Sequence, residues 1–435
     1  MEMSSNAIKV LSVVRDKSFA ALWRKSSEKA LTWNMIKQEP PPAGCSIEDT
    51  YTIITALRHR FSCNLPFDNY ILGIHKPDNW FSVTSEMHDQ LTTLVAQGQK
   101  DSVLARYLST YIVGQSRLML LIDEFLSLAR RDGFIFRSEA IRSLWNKSKI
   151  PTSPEEQLVV NFASLMGHLE RFISRKISVG LLEEMHEILL DGVCFDSKLP
   201  SGRSRIGGRK HSPLEDAEYA LSKVAEIGES KGVSQDIHPI FRSMLISGIF
   251  WEFFPFPVAN AIFELVVRNL FYLKEGLPVL GWASFSCISE QWEQGILVEP
   301  KVICEYLEPT FDCGEGFDAT SHFAAELQLM LYELDYLKQR LLSIYQEDEN
   351  MREVLEQELY LNPRQRDVLL FSLHNPGCHV TISDHQNLYH VVYATARQDL
   401  LDLVDMGFLS QFKKGRAFFY EATPRFYEFV KEKTH

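Results

Sequence analysis

Apolar positions along this 435-residue chain recur mostly at steps of three and four, the period of an amphipathic helix. Residues 1–37 carry that pattern until "QEPPPAG" (Gln38 to Gly44), where three consecutive prolines cannot continue a helix. The pattern is mixed from about Ile47 to Phe81, then strongly helical from Ser85 to Ala129 in two or three pieces. "NKSKIPTSPEEQ" reads as a linker that ends at an N-cap, Ser153, with Pro154 at the first helical position. Helices are predicted over Glu156–Ser174, Val179–Leu190, Pro213–Ser230, Pro239–Glu252 and Ala259–Lys274. Among them, "KLPSGRSRIGGRKH" (Lys198 to His211) is basic, glycine-rich and without apolar period, which predicts a loop.

Residues 324–359 form a long acidic helical stretch. Leu327, Met330, Leu334, Leu337, Leu341 and Ile344 make a short heptad seam along it. A helix packed on its own domain is the preferred reading of that seam, and a dimeric coiled coil the alternative, because the seam falls short of the roughly three to four heptads that mark a coiled coil. From Leu361 the texture changes to helix, short strand, helix, helix and two strands. Asn362 and Pro363 open the first of these helices and Asn375-Pro376-Gly377 closes it; Thr381 starts the second; Val392 to Met406 is the third, ended at Gly407. "FLSQFKKGRAFFYEA" is a hairpin turning at Lys414-Gly415. That order is the plan of a winged helix-turn-helix. The predicted fold class is mainly α: an N-terminal helical region over 1–110, a helical core over 111–310, a long connecting helix over 311–360, and a winged helix over 361–435.

Composition narrows the function classes. Hydrophobic residues make up 45% and charged residues 23% of the chain, enough for a substantial core. The formal net charge is −12, so any contact with nucleic acid or an anionic membrane needs a local basic face. The seven cysteines are scattered and form no CxxC pair, which argues for reduced thiols and against a disulfide frame or zinc site. No metal or other cofactor is expected. The amino terminus has no basic segment ahead of a long apolar run, so a signal peptide is not expected. The most apolar region, Met244 to Phe271, is interrupted by Glu252, Pro255, Pro257, Asn260, Glu264 and Arg268. It reads as two buried helices and a break, and no membrane partner is expected. A cytoplasmic location follows, of bacterial type.

The break itself, within "FFPFPVANAIFELVVRNL" (Phe253 to Leu270), has the outline of a catalytic loop running into a helix, yet few of its side chains can do chemistry. Several pieces in order resemble the Fic (Fido) family. "LLEEMHEILLDGV" looks like the helix before that family's flap, and "LPSGRSRIGG" like the entry to the flap. "FRSMLISGIFWEFFPFPVANAIFELVVRNLFYLKEGLP" is similar to its helix, catalytic loop, helix and exit. "RRDGFIFRSEAIRSLW" looks like a worn version of the segment that holds the family's inhibitory Glu-Gly. The resemblance spans about 130 to 300 and implies a helical core whose usual activity is transfer of AMP from ATP to a protein hydroxyl.

The family motif reads HPFxDGNGRxxR. Its His is the general base, its acid holds Mg²⁺ on the phosphates, its glycine-framed turn and helix N-terminus present N–H groups to phosphate oxygens, and its arginines neutralise the triphosphate. Here Pro255, Phe256 and Asn260 keep the frame. Phe254 stands at the base position, Val258 at the metal position, Ala259 and Ala261 at the glycines, and Ile262 and Leu265 at the arginines. The resemblance therefore implies a degenerate site with no catalytic residue. Asp132-Gly133 matches the inhibitory pair, but with Leu265 in place of its partner Asp132 is expected to be a solvated turn residue.

Other residues were weighed for binding. Arg203, Arg205 and Arg209, with Lys210 and His211, form the most basic local cluster; they are expected to be a solvated loop tip, with contact to a phosphate or acidic partner as the alternative. His186 is expected to be a satisfied core histidine. His385 and His390 frame the helix-turn-helix turn, and their spacing of five does not suit a metal pair. The tail from Asn362 to His435 has nine Lys+Arg against eight Asp+Glu, so the acidic excess lies elsewhere. Lys413, Lys414 and Arg416 suit phosphate contact, and Thr395, Arg397 and Gln398 could face base edges. Asp399, Asp402 and Asp405 on the same helix would repel phosphate.

The expected function is non-enzymatic: a degenerate Fic-like scaffold with a winged-helix tail, regulatory or DNA-binding. Two alternatives stay open. One is an active AMP-transferase with a site rebuilt from Glu252, Glu264 or His211. The other is a protein-interaction or homodimerisation module without a nucleic-acid role.

Overall fold

The computed structural model describes residues 13–66, 79–111, 120–145, 149–193, 213–230, 232–284, 286–287, 290, 294, 317–358, 360–374, 377, 379–415 and 417–433. The chain is mainly helical, with two small three-stranded sheets. At the N-terminal end, α1 (Lys17–Glu28), α2 (Trp33–Lys37) and α3 (Ile47–His59) pack around Phe19, Leu22, Ile36, Tyr51 and Ile54. Each helix has a side-chain cap of the kind that satisfies its first free N–H groups: Asp16, Thr32 and Ser46.

The first sheet ties this region to the far end of the core. Strand β1 (Cys63–Asn64) pairs antiparallel with β2 (Asn79–Phe81), and β2 pairs parallel with β3 (Phe317–Asp318). A buried ion pair holds the same junction, with Arg58 Nη2 2.8 Å from Asp318 Oδ2. The Ser82 N–H donates to Thr320 Oγ1 at 3.0 Å alongside it.

The core is built by α4 (Ser85–Gly98), α5 (Val103–Tyr111), α6 (Ile122–Arg131), α7 (Ser138–Trp145), α8 (Pro154–Gly167), α9 (Val179–Leu189), α10 (Pro213–Gly228), α11 (Pro239–Phe253) and α12 (Asn260–Lys274). Ser153 and Pro154 start α8 as expected, but the predicted helix over 156–174 ends at Gly167, and a short 3₁₀ turn, Leu169–Phe172, follows. Helix α12 is the hub. Every residue from Asn260 to Tyr272 is buried, and the helix packs against α11, α6, α8 and α9. A helix surrounded on all sides has no solvent face, so its polar residues Asn260, Glu264, Arg268 and Asn269 are buried with the apolar ones.

The long helix α13 (Thr320–Glu358) follows. Its seam residues Leu327, Met330, Leu334, Leu337 and Leu341 are buried in the same core as α4 to α12. The seam is therefore occupied within the chain, as the preferred reading had it; the side chain of Ile344 lies outside the described residues. One continuous core includes Met87, Leu91 and Leu94 of α4 as well as Phe323 to Leu341 of α13. The borders expected at 110 and 310 lie beside or within segments outside the described residues.

The far end of α13 belongs to a second core, where Met351 and Leu355 pack with the tail. There α14 (Pro363–His374), β4 (His379–Thr381), α15 (Ile382–Tyr389), α16 (Tyr393–Asp405), β5 (Leu409–Lys414) and β6 (Ala417–Ala422) follow in the predicted order. The strands form an antiparallel sheet in the order β4-β6-β5, with Phe412 opposite Phe419 and Lys413 opposite Phe418. The hairpin turns at Gly415, whose φ of +63° is the left-handed conformation that glycine adopts freely. A last helix, α17 (Pro424–Lys433), was not predicted. Its signal was present: Pro424 follows Thr423, whose Oγ1 accepts from the Phe426 N–H at 3.4 Å.

The internal seam makes a clear prediction. Leu334→Ala should destabilise the protein by about 2–5 kcal/mol, as expected for a buried leucine truncated in a tight core. Urea denaturation at two protein concentrations should give the same midpoint, because the seam is filled from within the chain.

Candidate functional site

The loop between α11 and α12 is shaped by two residues in the left-handed region. Phe254 ends α11 at φ +46°, and Ala259 precedes α12 at φ +59°. Neither is glycine, and each Cβ opposes that conformation by roughly 1–2 kcal/mol. Ala259 thus takes a conformation that glycine adopts more readily.

Asn260 holds the bend closed. Its Oδ1 accepts from the Phe256 N–H at 2.8 Å, and its Nδ2 donates to the Phe256 carbonyl at 2.7 Å. Pro255 and Ala261 are buried, Phe254, Phe256 and Val258 are half-buried, and Pro257 is exposed. Ile262 and Leu265, at the two arginine positions of the resembled motif, are fully buried in the core. The loop's side chains thus fill the space around the start of α12 with hydrocarbon.

Two side chains from other helices grip this loop. His186, on α9, stacks on Phe256 at 3.9 Å between ring centroids and meets Phe263 edge-on at 5.1 Å. Its Nε2 lies 3.0 Å from the Val258 carbonyl. A carbonyl only accepts, so Nε2 carries the proton. Burial holds the imidazole pKa down at about 4, against the opposing pull of that hydrogen bond. His186 is neutral and structural, as expected.

The second grip corrects an expectation. Asp132 is not a solvated turn residue; it is buried. Its Oδ1 accepts from the Ala261 N–H at 3.0 Å and its Oδ2 from the Ile262 N–H at 2.9 Å. The carboxylate caps the N-terminus of α12 from a different helix. Gly133, at φ +87°, ends α6 with the Phe134 N–H bonded back to the Ala129 carbonyl at 2.8 Å, and this turn presents Asp132 to α12. The expectation failed because it looked for a side-chain partner and found Leu265, whereas the partners are backbone N–H groups. Burial pushes the Asp132 carboxyl up to about 6, against the N–H groups of Ile262, Ala261 and Asn260, which favour its charge.

Behind the loop lies a buried ion cluster. Arg268 Nη2 donates to Glu124 Oε1 at 2.9 Å, and Arg268 Nε lies 3.2 Å from Glu264 Oε1. Glu124 Oε2 also accepts the Ser286 and Cys287 N–H groups at 2.9 and 3.0 Å. Ser247 Oγ donates to Glu264. Glu333 of α13 is buried near this cluster, and burial, then the charge of Glu124, pushes its carboxyl up to about 9. Glu264 was one candidate for a rebuilt site. It is buried, with its Oε1 engaged by Ser247 and Arg268. The side chain of Glu252 and all of His211 lie outside the described residues, as do Arg203, Arg205 and Arg209. Among the described residues no group of three or more His, Cys, Asp or Glu is arranged to hold a metal ion. No helix among them is long and apolar enough to cross a membrane.

In the tail, the structure revises the charge objection. Asp399 is buried, and its carboxylate accepts from Asn362 Nδ2 at 2.7 Å, Arg364 Nε at 2.7 Å and His385 Nε2 at 3.0 Å. Burial pushes this carboxyl up, but the bonds from Arg364, His385 and Asn362 outweigh burial and hold it below the ordinary carboxylate range. Asp402 accepts from Gln365 at 3.0 Å and Gln398 at 2.7 Å. Of the three acids, Asp405 at the far end of α16 is the exposed one. Arg397 and Gln398 are exposed, while Thr395 is half-buried on the Asp399 side. Lys413 is exposed on the hairpin, with its ammonium 5.7 Å from the Phe418 ring centroid. Arg416 and the side chain of Lys414 lie outside the described residues. His385 is tied to Asp399, and His390 ends α15 in the left-handed conformation at φ +52°.

No family model matches the chain, and the search of curated proteins finds no match. Among solved structures, the chain is similar to a Fic family protein from Desulfovibrio desulfuricans G20, with 14% identity and a TM-score of 0.38. The match covers 77% of this chain and 96% of that one.

The two grips have opposite pH signatures. Unfolded Asp132 takes up its proton near 3.8 and folded Asp132 near 6, so acidification through that window favours the folded state. Unfolded His186 is protonated below about 6.5 and folded His186 only below about 4, so acidification there favours unfolding. At about 1.4 kcal/mol per pKa unit, each effect is on the order of 3 kcal/mol. Asp132→Asn should therefore steepen the loss of stability between pH 6.5 and 4, and His186→Gln should flatten it, read by chemical denaturation across the range. Separately, Ala259→Gly should raise stability by about 0.5–1 kcal/mol by relieving the left-handed alanine, measured as a higher urea midpoint at constant slope.

Proposed function

We propose that this chain is a Fic-like helical scaffold that has given up nucleotide transfer and acts through a DNA-contacting winged-helix tail. The observation that carries the first half is the Asp132 carboxylate on the N–H groups of Ala261 and Ile262. A helix N-terminus is the natural seat of a phosphate. Here a fixed anion from α6 takes those donors, and an incoming polyanion would meet a buried carboxylate and a hydrocarbon wall.

The chemistry of the motif positions agrees. Phe254 cannot accept a proton, Val258 offers no ligand oxygen, and Ile262 and Leu265 bring no charge. Loss of a general base alone lowers a rate by about 10²–10⁴. Loss of the metal and the cations removes the main electrostatic stabilisation of phosphoryl transfer as well.

The second half rests on the tail. Its element order is that of a winged helix, and with Asp399 buried and Asp402 bonded to Gln365 and Gln398, Arg397 presents donors on α16 and Lys413 on the hairpin. A partner-binding reading also has support: Leu388, Val392 and Tyr393 leave a small apolar surface at the turn between α15 and α16, at 41%, 69% and 53% exposure. The two readings differ in their response to salt.

Calorimetric titration of the full chain with ATP should give no Mg²⁺-dependent binding; clear Mg²⁺-dependent affinity would overturn the scaffold reading. Retention on duplex DNA should be measurable at low salt and fall steeply as salt rises. Absence of retention, together with a mass that grows with protein concentration, would favour the partner-binding reading.

A further inference from the structure

The outward stripe of α16 contains Ala394, Arg397, Gln398 and Asp405, all exposed, with Leu401 half-buried among them. These positions recur at three- and four-residue steps and so share one helix face. The small Ala394 leaves room for a close approach by the first turns. Asp405 lies at the opposite end of the stripe, and the half-buried Asp402 borders it beside Gln398.

Gln398 is not free to turn. Its Nε2 donates to Asp402 Oδ1 at 2.7 Å, and Gln365 Nε2 donates to Asp402 Oδ2 at 3.0 Å. A carboxylate only accepts, so it fixes which end of the Gln398 amide faces inward. The amide oxygen is left facing away as an acceptor. Among the described residues no hydrogen bond or ion pair engages the Arg397 guanidinium. Helix α16 packs against β5 of the hairpin, and on β6 the Tyr420 hydroxyl accepts from Gln411 Nε2 at 2.9 Å.

We infer that Arg397 sets a sequence preference for duplex DNA, reading a guanine in the major groove through paired donors to O6 and N7. Gln398 takes the amino group of a neighbouring cytosine or adenine with its outward oxygen, and Lys413 contacts phosphate without reading sequence. Thr395 has no part in the readout. This inference rests on the reading of the tail as a DNA-contacting domain.

The test uses the full chain and a randomised duplex pool, with wild type, Arg397→Lys and Lys413→Ala. Lysine keeps the charge but lacks the planar fork. Wild type should enrich a position fixed as guanine. Arg397→Lys should lose that position, with affinity for the enriched duplex falling on the order of 10- to 100-fold and affinity for random duplex unchanged. Lys413→Ala should keep the guanine, weaken both duplexes alike and reduce the salt slope by about one. Enrichment of the same guanine by Arg397→Lys would overturn the inference, as would equal losses on both duplexes. Retention of duplex by wild type without any guanine preference would sink the inference alone. Failure to retain any duplex would sink the DNA reading with it.

Discussion

Helix α12 can run through the middle of the core only if its first N–H groups find acceptors without help from water. Asp132 supplies two of those acceptors from α6, and Asn260 and His186 fix the loop that leads in. An unsatisfied buried N–H group costs on the order of 1–3 kcal/mol, so this cap helps determine where α6, α9, α11 and α12 meet. The same cap decides the chemistry of the site. Donors that could hold an anion from solution are spent on one from the chain.

The ion cluster one step deeper works under the same constraint. Arg268 sits in the core with Glu124 and Glu264 against it and Glu333 nearby, and a dry site cannot hold three ionised carboxylates around one cation. Burial pushes Glu264 and Glu333 upward, Glu333 far enough to keep its proton at neutral pH. The cluster joins α6, α12 and the segment at Ser286–Cys287, with α13 alongside. It makes the crossing of these elements specific, because slippage of any one would strand a charge.

In the tail, a single buried carboxylate plays the comparable part. Asp399 gathers Asn362 and Arg364 at the start of α14 and His385 from α15, and so ties α16 to both helices. Its burial also changes the surface. An acid that reads in sequence as a repulsive neighbour of Arg397 is turned inward, and α16 shows donors at its N-terminal end.

Sequence alone determined the helical class, the ends of several helices and the element order of the tail, because caps, prolines, glycines and apolar periods act within a few residues. It also determined that the stretch from Phe253 to Leu270 is largely apolar. It could not assign Asp132, Asp399 or Glu333, whose partners lie far along the chain and in two cases include backbone atoms with no letter in the sequence. Thr395 and Arg397, two residues apart, looked equivalent as letters; only the packing of α16 left one half-buried and the other exposed. Burial and long-range hydrogen bonding set the role of a polar side chain, and both are properties of the assembled core rather than of the local chain.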